Sequence, residues 1–179
     1  MLKNLLAGLF VCSAATAQTE SVAQSPLFTE IEVSVFNAEM PVYKGTVVIP
    51  RGEAVVYDTM QSVTPNAICE PNHSISLVSF KKGLRIALTS SGFEVDKSVV
   101  DFSFEAATVT KEGVRNMNGC QWDNLLKRET AMSSTMILKH ADVAHIGAPN
   151  DVNMHMKLIG AYEVAPKGKA PGVFYPSAM

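Results

Sequence analysis

The strongest structural pattern in the chain is the run Val152-Asn153-Met154-His155-Met156-Lys157-Leu158. Apolar and polar residues alternate strictly along this run, and successive side chains of a β-strand point to opposite faces. The run therefore predicts a half-buried strand whose apolar side chains face a core, while His155 faces the other way. This pattern decides the fold class, because the same alternation recurs elsewhere in the chain.

Alternation also predicts strands upstream of this run. Apolar side chains occupy every second position in residues 31–35 and again in residues 100–104. A shorter alternating stretch covers residues 75–79. The faces that these strands would bury define a predicted core: Ile31, Val33, Val35, Ile75, Leu77, Phe102, Phe104, Val152, Met154, Met156 and Leu158.

Two hairpins are predicted where apolar, β-branched runs flank turn residues. The first joins residues 46–49 to residues 54–57 through a Pro/Gly turn. The second joins residues 75–79 to residues 84–88, with Gly83 supplying a positive φ in the turn. Short links of this kind leave no room for the helices that a parallel sheet needs between its strands.

The remaining segments are expected to be irregular or briefly helical. Residues 59–71 carry two prolines, and residues 111–119 are rich in glycine and asparagine. Residues 90–92, Ser-Ser-Gly, are expected to interrupt a strand. The spacing of Trp122, Leu125 and Leu126 suggests one or two helical turns. The sequence thus predicts a mainly β protein: an antiparallel sandwich or barrel-like domain of about seven to eight short strands and at most one or two short helices.

The first residues have the three parts of a secretory signal peptide. Lys3 precedes the short apolar run of residues 5–12, and Ala15-Thr16-Ala17 forms a small-residue cleavage site. That run is shorter than the roughly 20 apolar residues of a membrane span. We therefore expect a signal peptide at 1–17, a flexible lead-in at 18–27, one β-rich domain at 28–165 and a Pro/Gly-containing tail at 166–179. The expected product is soluble and exported, either periplasmic or secreted.

The cleavage site leads to a first testable prediction, that the mature chain begins at Gln18. A lipid on Cys12 is the alternative, but Val11 is larger than the small residue that precedes a lipidated cysteine. Mass spectrometry of the intact exported protein measures the mature N-terminus directly. A mature chain that begins at Cys12 and carries lipid would contradict the prediction and make the protein membrane-anchored.

Composition and motifs exclude several classes of function. The formal net charge of −2 gives no electrostatic reason to bind nucleic acid. The sequence contains no P-loop, no G-x-G-x-x-G fingerprint, no G-x-S-x-G elbow and no H-E-x-x-H zinc motif. A nucleotide-dependent enzyme or a familiar hydrolase is therefore not indicated, and no cofactor is expected.

Cys69 and Cys120 remain after removal of the signal peptide, and they are predicted to form a disulfide, as cysteine pairs in exported chains usually do. The alternative is a thiol hydrolase in which Cys120 is the nucleophile and His140 or His145 is the base. A helix that begins near Cys120 would favour that alternative, because a helix N-terminus lowers the pKa of a thiol.

A second alternative is a copper-binding protein, because imidazole and thioether groups suit copper in an oxidising compartment. The candidate ligands are His140, His145, Met154, His155 and Met156. Alternation, however, directs His155 away from the two methionines, which are better interpreted as core residues.

The leading hypothesis is a non-enzymatic β-sandwich module that binds another extracytoplasmic protein or forms a structural part of an envelope assembly. It rests on a β scaffold without a recognisable catalytic motif, and is therefore an analogy at the level of fold. Glu30 and Glu32 would share one strand face, and we interpret them as a solvated face rather than as a pair of glycosidase acids.

Overall fold

The computed structural model describes residues 27–38, 40–94 and 96–177 of the 179-residue chain. Within these ranges the chain forms eleven β-strands and no helix. The strands form antiparallel sheets that pack as a sandwich. The predicted fold class is confirmed, with more strands than the seven to eight expected. The expected signal peptide and most of the lead-in lie outside the described residues.

One sheet has five strands. They are β1 (Phe28–Asn37), β2 (Met40–Pro50), β9 (Val143–Ala148), β10 (Val152–Tyr162) and β11 (Phe174–Pro176). Their order across the sheet is β11-β2-β1-β10-β9. The strand that the sequence predicts most clearly, at 152–158, is therefore β10, and it pairs with β1 from the other end of the chain.

The other sheet contains the two longest strands. Its members are β3 (Ala54–Asp58), β4 (Gln61–Val63), β5 (Ala67–Cys69), β6 (Phe80–Glu94), β7 (Lys97–Met117) and β8 (Cys120–Lys139). The order is β3-β6-β7-β8-β5, and β4 pairs with the start of β6. The inner faces of the two sheets enclose the core.

The predicted core residues are buried in this core, with the exception of Ile75 and Leu77. These two side chains are only half-buried, because residues 73–79 form no strand and lie outside the sandwich. Alternation shows which residues would share a face, but it does not show whether a neighbouring strand exists to pair with them.

The first predicted hairpin is wrong in its pairing. β2 and β3 do not pair with each other, because the chain crosses from the five-stranded sheet to the six-stranded sheet between them. A turn forms at the crossing, where the amide of Glu53 donates to the carbonyl of Pro50 over 3.2 Å. β3 instead pairs with β6, which places Val55 opposite Leu88.

The second predicted hairpin is also wrong, although Gly83 has the expected positive φ of 139°. Gly83 lies inside β6 and the chain does not reverse there. A Cβ atom at this position would lie 2.5 Å from the carbonyl oxygen of Thr59, so glycine is required for close approach rather than for a turn. The break expected at 90–92 is a bulge between Ser91 and Phe93 within β6.

The loop expected at 111–119 and the helical turns expected at 122–126 are both strand. They belong to the long hairpin of β7 and β8, which reverses at Asn118-Gly119 with φ angles of 49° and 71°. An Asn-Gly pair with positive φ at both positions is the favoured two-residue hairpin turn. The stable cross-strand ladder overrides the weak helical spacing of Trp122, Leu125 and Leu126.

The β7–β8 hairpin extends past the rest of its sheet. Pairing with β6 ends at Gly83 and Ala107, so residues 108–128 continue as a two-stranded ribbon, which we call the arm. Residues 59–79, which we call the excursion, run from β3 along the arm and return to β6. At the end of the arm β5 pairs with residues 120–122.

The C-terminal segment packs on the five-stranded sheet. The Lys169 ammonium forms an ion pair with the Glu30 carboxylate, to which the Tyr162 hydroxyl also donates over 3.2 Å. Glu30 is 5% exposed. The expectation that Glu30 lies on a solvated face is therefore wrong, because residues beyond β10 cover it. Glu32 is less covered and lies 3.7 Å from Lys44.

The described residues include no helix that is both long enough and apolar enough to cross a bilayer.

Candidate functional site

A cleft of about 410 Å³ opens at the base of the arm, and we call it the end cleft. Its apolar lining comes from both sheets: Val35, Val42, Tyr57, Leu84, Ala106 and Val152. Polar side chains line the rest: Asn37, Thr59, Lys82, Thr108, Arg128, Thr130, Asn150 and Asp151. A floor of apolar side chains with polar side chains around it is an arrangement common to binding pockets.

The end cleft exists because the two sheets differ in length. The five-stranded sheet ends at the turns after β1 and after β9, whereas β7 and β8 continue into the arm. The last inward-facing side chains, including Val35 and Val152, are therefore reached from the end of the sandwich. The inner face of the arm, with Thr108 and Arg128 opposite each other, forms the side wall.

Hydrogen bonds fix three of the polar side chains around the end cleft: Thr59, Thr130 and Asn150. The Thr59 hydroxyl donates to the Leu84 carbonyl over 3.1 Å and accepts from the Leu84 amide over 3.0 Å. On the opposite side, the side-chain amide of Asn150 donates to the Thr130 hydroxyl over 2.9 Å, and that hydroxyl donates to the Pro149 carbonyl over 2.9 Å. The site is thus built before any ligand arrives, which lowers the entropy lost on binding.

Aromatic rings lie behind the floor of the end cleft. The ring of Tyr57 lies 4.5 Å from that of Tyr43 and 5.6 Å from that of Phe174, measured between centroids. The Tyr43 hydroxyl is buried and has no hydrogen-bond partner among the described residues. Burial, together with the neighbouring Tyr57, raises the pKa of Tyr43 to about 12, so this hydroxyl stays neutral at physiological pH.

Cys69 and Cys120 form a disulfide at the end of the arm. Cys69 is the last residue of β5 and Cys120 is the first residue of β8, and the two lie directly opposite each other. The Glu70 amide donates to the Gly119 carbonyl over 2.8 Å, so the cysteines occupy the neighbouring non-hydrogen-bonded pair, where strands approach most closely. Their Cα atoms are 4.0 Å apart, slightly less than the range of about 4.4–6.8 Å common for disulfides.

The geometry gives no support to Cys120 as a nucleophile. Its sulfur is bonded to Cys69, and residue 120 begins a strand instead of a helix, so no helix N-terminus lies beside it. His145, one of the two candidate bases, is in β9 of the other sheet, whereas His140 follows the far end of β8.

The structure brings together two of the five candidate copper ligands. His145 and His155 lie opposite each other on β9 and β10, with ring centroids 4.3 Å apart. Burial, and to a lesser extent the neighbouring His145, lower the pKa of His155. Met154 and Met156 are fully buried on the other face of β10. Across the described ranges, no three His, Cys, Asp or Glu side chains are grouped as metal ligands.

Comparison of the chain with models of protein families, with curated proteins and with solved structures finds no match. The candidate site therefore rests on geometry. Sequence reasoning missed the end cleft, because its lining residues are scattered from Val35 to Val152 and meet only through strand pairing. The available local signal was the dipeptide Asn150-Asp151, whose positive φ angles mark the turn before β10 and whose side chains line the cleft.

Proposed function

We propose that the protein is an exported, non-enzymatic β-sandwich module that binds another extracytoplasmic protein through the end cleft. The observation that carries this proposal is the end cleft itself, an apolar floor framed by fixed polar groups. The lining includes neither cysteine nor histidine, and it offers apolar contact and hydrogen bonds rather than an assembled nucleophile and base.

The lining defines the chemistry of the partner. The aliphatic side chains of Val35, Val42 and Val152 favour an apolar side chain of the partner. Lys82 and Arg128 are both exposed and outnumber Asp151, the acidic side chain of the lining, so together they favour a carboxylate next to that apolar side chain. A partner segment with an apolar residue beside an acidic residue therefore fits the end cleft.

Export is part of the proposal, and the disulfide supports it. The bond joins residues 51 positions apart and closes the excursion onto the arm. Such bonds persist in oxidising compartments and are rare in the cytosol. The sequence of the first 17 residues, with its charge, apolar run and small-residue site, is consistent with the same route.

A photo-crosslinking experiment in the cells that make the protein tests the proposal. A photoreactive amino acid replaces Thr108, an exposed residue of the end cleft, and adducts are then compared between two backgrounds. Val42→Asp places a charge on the apolar lining, whereas Val56→Asp is the matched control, because both valines are 46% exposed and Val56 does not line the cleft. We expect one discrete protein adduct that Val42→Asp reduces at least about tenfold, corresponding to roughly 1.4 kcal/mol of lost binding.

The control background separates binding from damage to the fold. Val56→Asp should leave the adduct unchanged, since surface substitutions outside special features alter stability by less than about 0.5 kcal/mol. Absence of any adduct at position 108, or equal loss in the two backgrounds, would refute binding through the end cleft.

A further inference from the structure

One long edge of the six-stranded sheet is open. β8 pairs with β7 along its whole length, but on its other side β5 covers only residues 120–122. Beyond that point, the Asp123 backbone amide donates to the Asn66 carbonyl, and the turn before β10 reaches β8 through the Asn150 side chain, which donates to the Glu129 carbonyl and the Thr130 hydroxyl. Within the described part of the chain, no strand pairs with residues 131–139 of β8 on this side, and they form an open sheet edge.

The hydrogen bonds identify which amides point outward along this edge. The backbone amide of Asp123 and the backbone carbonyl of Glu129 both point away from β7. The backbone amide of His140 points the other way and donates to the backbone carbonyl of Asp96, beside the start of β7. Outward and inward groups alternate along a strand, so the odd-numbered residues from Ala131 to Lys139 carry the outward groups, to which no described strand is paired. The Thr135 carbonyl among them accepts from the Ser134 hydroxyl over 3.5 Å. These are the groups that a further strand would pair with.

The sequence of the edge lacks the usual protection against strand pairing. Residues 130–138 read Thr-Ala-Met-Ser-Ser-Thr-Met-Ile-Leu, with no charge, proline or glycine. Soluble proteins normally place lysine, proline or a bulge on such an edge, because an exposed flat strand recruits another strand. Ile137 is 63% exposed on this edge. Pairing with a further strand is therefore favoured by both backbone and composition.

We infer that the partner strand is β8 of a second copy of this chain, paired antiparallel about a two-fold axis at Ser134. The charges at the two ends of the edge select this partner and this register. With Ser134 opposite Ser134, Glu129 of each copy lies opposite Lys139 of the other, and the two-fold axis produces this ion pair twice. Opposite charges at directly opposed positions stabilise an antiparallel pair.

The same register satisfies the backbone and the faces of the sheet. It places Ala131 opposite Ile137 and Ser133 opposite Thr135, so odd residues with outward amides meet one another as hydrogen-bonded pairs. Even-numbered residues of one copy also lie opposite even-numbered residues of the other. Side chains on the inner face of one sheet therefore adjoin those on the inner face of the other sheet, and the same holds for the outer faces. If one strand slid by two residues relative to the other, Lys127 would instead lie opposite Lys139, and the two like charges would repel each other.

Sedimentation velocity of the purified, disulfide-bonded protein over a wide concentration range tests the dimer. We expect a concentration-dependent dimer in the parent protein. Glu129→Lys and Lys139→Glu should each raise the dissociation constant about tenfold or more, because each creates two like-charged pairs across the axis. The double variant Glu129→Lys/Lys139→Glu should restore the affinity, since it exchanges the charges without losing the pairs.

Two further variants guard against indirect effects. Glu129→Lys also removes the ion pair with Lys127 inside the chain, so restoration in the double variant is the decisive result. Ser134→Lys leaves the exposed edge of the monomer intact but places two lysines opposite each other at the axis, so it should abolish the dimer. Glu112→Lys, an exposed change on the arm, should have no effect.

A protein that stays monomeric at all concentrations would overturn the inference. So would a dimer that the charge exchange and Ser134→Lys leave unchanged, because that dimer would use another surface. Loss of the dimer in both single variants without recovery in the double variant would rule out the register about Ser134. Pairing of this edge only with a strand from a different protein would equally overturn it.

Discussion

Replacing Phe102 or Phe104 with alanine is expected to lower the free energy of unfolding by about 3–5 kcal/mol. The two rings are 4% and 2% exposed and project from β7 into the core. They lie opposite Leu88 and Ile86 of β6, which strand pairing holds in place. These neighbours cannot move far into the space that a truncated ring leaves. The variant therefore loses the free energy of burying the ring and also pays the free-energy cost of the cavity that remains.

Urea titration of each variant measures this loss. For a domain with an ordinary stability of about 5–15 kcal/mol, the change would unfold a large part of the population under mild denaturing conditions. Val114→Ala on the arm portion of β7 is the control, because its side chain is 45% exposed and its loss should change stability by less than about 0.5 kcal/mol. Equally small losses for Phe102 and Phe104 would show that the inward face of β7 is assigned incorrectly.

Opening the disulfide is expected to have the second large effect. Cys69→Ser and Cys120→Ser should destabilise the protein equally, by up to about 4 kcal/mol. Either change opens the same loop in the unfolded chain, whose ends are 51 positions apart. The bond fastens the excursion to the arm, where β5 pairs with only three residues of β8. The side-chain amide of Asn66 also donates to the Asp123 carboxylate over 3.1 Å, and this hydrogen bond is exposed to solvent. We therefore expect the excursion to separate from the arm first.

Equilibrium unfolding of both single variants and of the double serine variant measures the effect. The double variant should be no less stable than either single variant, because the bond can be lost only once. Amide hydrogen exchange should accelerate in residues 59–79 and stay slow in β1 and β10. Unequal losses for the two cysteines, or unchanged exchange in the excursion, would contradict this account.

The sequence predicts faces well and pairing poorly. Alternation at 31–35, 100–104 and 152–158 places the core side chains correctly, since side-chain direction in a strand depends only on the residue's own backbone. Which strands become neighbours depends on residues far away in the chain. Residues 46–49 and 54–57 look like a hairpin for this reason, yet β2 and β3 belong to different sheets.

The long hairpin shows a second limit. Residues 111–119 have the composition of a loop, but only Asn118 and Gly119 form the turn, while the flanking residues are held in strands by the β7–β8 ladder. Helical spacing at Trp122 is likewise overridden by pairing with β7 and β5. Local preference decides a segment only where no partner strand competes.

The candidate site could not be predicted for a related reason. Val42, Lys82, Arg128 and Asp151 come from four separate regions and share no spacing that would mark them as a group. Their proximity follows from the unequal lengths of the two sheets, which becomes apparent only when the pairing is known. By contrast, the opposite orientation of His155 and Met154 follows from alternation alone.

The position of β1 in the five-stranded sheet determines when the protein can fold. β1 is an inner strand near the start of the chain, and one of its two partners is β10, which follows more than a hundred residues later. During synthesis or transport the chain emerges in order, so this sheet cannot close until its last strands have appeared. Contacts between such distant segments also slow folding, because a long loop must close before they form. The five-stranded sheet can therefore be completed only after residues 152–162, which form β10, have been made.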